Sequence, residues 1–107
     1  GFYCMSKAAV LMMTHVMAME LSKYGVTAVA ICPGHINTPL LRNSFVQRGA
    51  AEGKTVDEYF TEMEGTIPMG RLAEPEEVGE LVAFLCDDRS AYINGNGILI
   101  AGGKVME

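Results

Sequence analysis

Apolar residues recur every three to four positions from Phe2 to Tyr24, and this spacing predicts one long helix closed by Gly25 just past its end. One stripe runs through Met5, Ala9, Met12, Val16 and Met19, and a second, Val10, Met13, Met17 and Leu21, lies beside it. Two stripes cover more of the circumference than a surface helix buries. One face is therefore expected on a sheet and the surplus on another helix, including one from a second subunit. The period then changes. Val26 to Ile31 is short, β-branched and nearly all apolar, as a strand covered on both faces would be, and Pro33-Gly34 breaks it.

Thr38-Pro39 places an N-cap residue before a proline at the first helical position, predicting a helix to about Arg48 that Gly49 ends. Thr55 and Glu58 have the spacing of a capping box. They open a short helix whose Val56, Tyr59, Phe60 and Met63 fall on one face. Two short amphipathic helices on a long excursion predict a lid. Pro75 starts the last helix, with Glu76 and Glu77 near its positive end and Val78, Leu81, Val82 and Leu85 as its apolar residues. A turn-rich stretch from Asp87 to Gly97 leads to a second buried-type strand, Ile98 to Ala101. Helix, tight turn and buried strand form half of a parallel βαβ unit, so the fold class is α/β with a parallel sheet. Two such strands leave both edges open. The sheet is expected to be incomplete in this chain, with further strands upstream of Gly1.

Composition narrows the choice of partner. Half of the 107 residues are hydrophobic and 20% are charged, which suits a globular domain, and the net charge of −5 argues against nucleic acid or an anionic membrane. The longest unbroken apolar run, Ala8 to Met13, is too short to span a bilayer. Cys4, Cys32 and Cys86 are widely spaced and odd in number, with no metal-ligand spacing. They are expected as buried free thiols of a reducing, cytoplasmic setting, and no metal site is expected. His15, flanked by apolar surface, is expected to be solvated or hydrogen-bonded.

Tyr3 and Lys7 stand one helical turn apart, so both side chains leave the same face. A phenol is a poor acid at neutral pH, with an unperturbed pKa of about 10, and an ammonium beside it favours the phenolate. Such a pair can give and take protons in carbonyl and alcohol chemistry.

Four motifs carry a resemblance. They are Tyr3-Cys4-Met5-Ser6-Lys7-Ala8-Ala9, Pro33-Gly34-His35-Ile36-Asn37-Thr38-Pro39, the run Pro68 to Val78 (PMGRLAEPEEV), and Tyr92-Ile93-Asn94-Gly95 with Gly102-Gly103. In that order and spacing the chain resembles the C-terminal portion of a short-chain dehydrogenase/reductase, of the simple single-domain branch. The resemblance implies the C-terminal part of a doubly wound parallel-sheet, Rossmann-like fold in which residues 1–25 form the catalytic helix and 26–38 the strand and cofactor loop. Residues 39–68 would form the substrate lid, and 74–107 the last helix and strand. It implies an NAD- or NADP-dependent oxidoreductase that interconverts a secondary alcohol and a ketone. Tyr3 would be the general acid/base, assisted by Lys7, which would also bind the ribose hydroxyls. Pro33, Gly34, Ile36 and Thr38 would contact the cofactor, with backbone around Ile36 on the carboxamide. His35 could face the substrate, and Arg71 would brace the joint before the last helix. The parent is expected as a homodimer or homotetramer.

The family's glycine-rich phosphate loop and active-site serine do not occur in these 107 residues, since Gly95-Asn96-Gly97 precedes a strand and lacks the third glycine. The chain alone is therefore expected to be inactive. Ala101 stands where many relatives carry aspartate. The tail Gly102-Gly103-Lys104-Val105-Met106 and the segment Lys54 to Phe60 resemble members acting on sugar alcohols and short diols. Alternatives are a non-catalytic assembly scaffold that keeps the helix interface, and an epimerase or dehydratase on nucleotide sugars.

Overall fold

A computed structural model describes residues 1–104 of the chain; Val105, Met106 and Glu107, the end of the segment predicted over 74–107, lie outside the described residues. The element order is α1 (Phe2–Leu21), a 3₁₀ turn (Ser22–Tyr24), β1 (Ala30–Pro33), α2 (Pro39–Glu52), α3 (Val56–Gly65), α4 (Pro75–Leu85), a second 3₁₀ turn (Asp88–Ser90) and β2 (Gly97–Ile100). β1 and β2 pair in parallel, so the α/β class with a parallel sheet holds. The chain divides into two compact units, Gly1–Cys32 with Leu81–Leu99, and Pro33–Glu80 with the residues from Ile100 onward.

In the first unit, Gly25 ends the helical segment at φ 77, a left-handed conformation that glycine adopts without strain. The last turn tightens to 3₁₀ geometry first. The packed face of α1 differs from both predicted stripes. Its buried residues are Thr14 and Ala18, whereas Met5, Met12 and Met19 are 65%, 61% and 70% exposed. Close approach explains the difference. A Cβ added at Gly95 would lie 3.3 Å from the Ala18 Cβ, and one at Gly97 would lie 2.8 Å from Leu11 Cδ2. Glycines at 95 and 97 let Ala18 and Leu11 of α1 approach β2 and the turn before it, while these methionines face outward.

β1 begins four residues later than the β-branched run suggests and extends through Pro33. The segment before it spends its backbone groups elsewhere. Ala28 N–H donates to Asn94 Oδ1 at 2.8 Å, and Gly95 N–H donates to Ala28 O at 2.7 Å. Asn94 Nδ2 also donates to Ser22 Oγ at 2.8 Å, so one side chain ties the end of the α1 segment to the start of the strand. Ladder bonding starts where Ala30 N–H meets Asn96 O at 3.0 Å.

Two further expectations change. Cys32 is half-buried, but Cys4 and Cys86 are exposed; all three thiols are free. Phe2–Tyr24 is, by length and composition alone, long and apolar enough to cross a bilayer, a test that the core helix of a soluble protein also passes. The unbroken run underestimates it because the scattered polar residues are too few to lower the average.

In the second unit, α2 runs through Gly49 to Glu52, and Gly53, at φ 73, closes it. Gly49 is needed for contact and does not terminate the helix: a side chain there would collide with the Lys54 carbonyl. α3 starts on the predicted capping box, with Thr55 Oγ1 accepting from Glu58 N–H at 3.2 Å. α2 and α3 pack through Phe45, which stacks on Tyr59 at 5.2 Å between centroids and meets Phe60 edge-on at 5.0 Å. Phe45, Tyr59, Ile67 and Leu72 are the buried residues of this unit among those described.

Candidate active site

Tyr3 and Lys7 lie in the first two turns of α1, before any β-branched residue, where the helix is held by Met5 N–H donating to Gly1 O at 3.0 Å. Ser6 Oγ donates back to Tyr3 O at 2.7 Å. The Lys7 ammonium sits 5.3 Å from the centroid of the Tyr3 ring, within cation–π range. The two groups therefore share one face. Tyr3 is 72% exposed, so its phenol is open to an incoming molecule. Cys4 is also exposed, and no base partners it among the described residues.

The other four predicted residues lie in the second unit, at the carboxyl end of β1. Pro33 is the last residue of that strand, and Gly34 N–H continues the pairing by donating to Ile100 O at 2.9 Å. Gly34 is fixed by crowding, since an added Cβ would lie 2.8 Å from the Ala101 Cβ and 3.0 Å from its Cα. Ala101 thus places a small side chain against this glycine.

Ile36 forms an isolated parallel bridge with Ala73. Its flanks carry the bonds: Asn37 N–H donates to Ala73 O at 2.8 Å, and Ala73 N–H donates to His35 O at 3.1 Å. In a parallel bridge the central residue's own N–H and C=O point away from the partner. Those of Ile36 have no protein partner among the described residues. Thr38 is the N-cap of α2, with its hydroxyl accepting from Leu41 N–H at 3.2 Å and Pro39 at the first helical position.

The run Pro68 to Val78 does more than periodicity suggested. Leu72 is buried, Ala73 bridges to Ile36, and Arg71 forks onto Glu77 with N–O distances of 2.9 and 2.8 Å. Glu77 also accepts from Glu74 N–H at 2.7 Å, so Arg71 is spent on bracing the start of α4. The ion pair, with the Glu74 amide, holds the Glu77 carboxyl at about 2, well below the usual range. No apolar or charge pattern pointed to the Ile36–Ala73 bridge, because a single bridge has no period.

His35 is half-buried, with Nε2 3.2 Å from Lys104 Nζ. Burial, and then the Lys104 charge, lower its pKa from 6.5, which favours a neutral ring. His15 is exposed. No group of three or more metal-ligating side chains occurs among the described residues.

The family described as "Enoyl-(Acyl carrier protein) reductase" matches residues 1–104. The chain is 40% identical over 104 residues to the oxidoreductase UcpA of Escherichia coli K12, covering 97% of this chain and 38% of that protein. A short chain dehydrogenase family protein from Francisella tularensis superimposes with a TM-score of 0.91 at 37% identity, over 95% of this chain and 42% of that one. L-sorbose reductase from Gluconobacter frateurii, solved with NADPH and L-sorbose, gives a TM-score of 0.91 at 28% identity, over 98% and 40%. The chain belongs to the short-chain dehydrogenase/reductase family, whose members use NAD or NADP on a Rossmann-like fold. It spans 38% of the length of the relative UcpA.

Proposed function

We propose that the protein carrying this chain interconverts a secondary alcohol and a ketone with NAD or NADP, using Tyr3 as the general acid/base. The observation that carries the reading is the Lys7 ammonium beside the exposed Tyr3 ring on one face of α1. In the reducing direction the Tyr3 hydroxyl gives its proton to the carbonyl oxygen, and in the oxidising direction the phenolate takes it back from the alcohol. Lys7 stabilises the charge left on Tyr3 and offers its remaining N–H donors to ribose hydroxyls. A bound nicotinamide supplies or accepts the hydride.

The fit of that cofactor rests on the second unit's backbone. The Ile36 N–H and C=O, one donor and one acceptor, match the complementary pair on a carboxamide. Thr38 and the start of α2 offer a hydroxyl and a helix N-terminus, which suit a carboxamide or a phosphate. Pro33 and Gly34 set the path of the backbone leading to Ile36. Residues 39–68, with their packed α2–α3 pair, serve as the substrate lid. The exposed methionine face of α1 is the assembly surface of a homodimer or homotetramer in the cytoplasm.

The test is cofactor binding and turnover in the intact protein. Lys7→Met should weaken nicotinamide cofactor binding and lower the rate of alcohol oxidation by about a hundredfold, within the range of acid–base assistance. Unchanged kinetics in that variant would sink the reading. The 107 residues on their own should show no turnover, and a measurable rate from them would remove that part of the proposal.

A further inference from the structure

A cleft of about 310 Å³ opens in the second unit between the α2–α3 pair and the residue that follows Gly102-Gly103. Its lining holds three cations, Arg48, Lys54 and Lys104, and two carboxylates, Glu52 and Glu62. Both carboxylates are hydrogen-bonded, but only Glu62 is neutralised by a cation. Glu62 pairs with Lys54 at 2.5 Å, and Glu52 accepts the Tyr59 hydroxyl at 2.6 Å. That second bond is tight enough to push the Tyr59 phenol up to about 12.

Lys104 and Arg48 are thereby left without a carboxylate among the described residues. Lys104 is half-buried, and two of its three N–H donors are committed to neutral acceptors, Thr66 Oγ1 at 2.9 Å and His35 Nε2 at 3.2 Å. This fixes the ammonium without neutralising it. Arg48 lies over the Tyr59 ring with its guanidinium 5.3 Å from the centroid, a stacking contact that orients the fork and leaves its donors available. Phe45 and Met63 supply apolar wall. Three cations against two carboxylates leave the lining one positive charge in excess, and a chain with a net charge of −5 attracts anions only where such a local excess is built.

We infer that this cleft binds the carboxylate of a small organic acid, with Lys104 and Arg48 as its charged donors and Thr66 and His35 as the supports of Lys104. A planar carboxylate suits the guanidinium fork, and the apolar wall suits a short carbon skeleton. The inference is independent of the proposed hydride chemistry, since binding alone reads it.

The experiment is calorimetric titration of the intact protein with malonate, with its neutral analogue malonamide and with inorganic phosphate. Malonate should bind and malonamide should not, and phosphate should bind more weakly than malonate. Lys104→Met should weaken malonate binding about tenfold or more, the scale of one charged hydrogen bond, and Lys104→Arg should restore most of it. Arg48→Met should weaken it as well. Equal binding of malonate and malonamide, or malonate binding unchanged in Lys104→Met, would overturn the inference, as would phosphate binding with no response to malonate. The malonamide comparison needs no variant, so a folding defect cannot mask the answer. Tyr3→Phe should bind malonate like the parent, which separates this site from the catalytic reading.

Discussion

Arg71 and Glu77 show how one pair of side chains can set a segment's geometry. The guanidinium holds both carboxylate oxygens, and the same carboxylate caps the Glu74 amide, so α4 starts where the pair directs it. Because the folded pKa of Glu77 is depressed to about 2 from 4.5, its stabilisation is complete above about 4.5 and is lost as pH falls toward 2. Thermal melts of the parent and Glu77→Gln should differ at neutral pH and converge over that acid window. The difference will be small because both side chains are largely exposed. A gap that persists below pH 2 would mean that shape, not charge, matters there. Some of this scale was legible in the sequence. The Tyr3/Lys7 spacing gave a shared face, the motif gave Arg71 its bracing role, and Thr38 read as a cap. The role of Asn94 was not legible, since its partners Ala28 and Ser22 are 66 and 72 positions away in sequence.

Helix limits followed capping chemistry more faithfully than glycine placement. Thr55→Ala removes the hydroxyl that accepts from Glu58 N–H, while the backbone N–H at position 55 can still donate to Glu58, and should cost about 1 kcal/mol in chemical denaturation. Gly49→Ala tests the opposite intuition. Alanine favours a helix interior over glycine by about 1 kcal/mol, yet the added methyl would press on the Lys54 carbonyl. The variant should therefore be less stable than the parent; a gain in stability would show that α2 can shift to accommodate it. The same distinction explains the misjudged helix end. Gly53 has the left-handed backbone that stops a helix, and Gly49 has the crowding that merely forbids a side chain. β1 was misplaced because β-branched residues mark a capacity for strand formation, whereas the ladder begins only where a partner's backbone is free.

On the scale of the whole chain, the parallel α/β order was readable from alternating periods and from four motifs in sequence order. The packed face of α1 was not, because hydrophobicity pointed to methionine while the close contacts set Ala18 against Gly95 and Leu11 against Gly97, at the entry to β2. The exposed methionines then become the argument for assembly. Met12→Glu with Met19→Glu should shift the intact protein to a smaller species in sedimentation, and an unchanged mass would exclude that face as the interface. The central claim concerns a single hydroxyl. In the intact protein, Tyr3→Phe should lower ketone reduction by about a thousandfold or more while cofactor affinity stays within a few-fold of the parent. Retained turnover in that variant would mean that another group moves the proton.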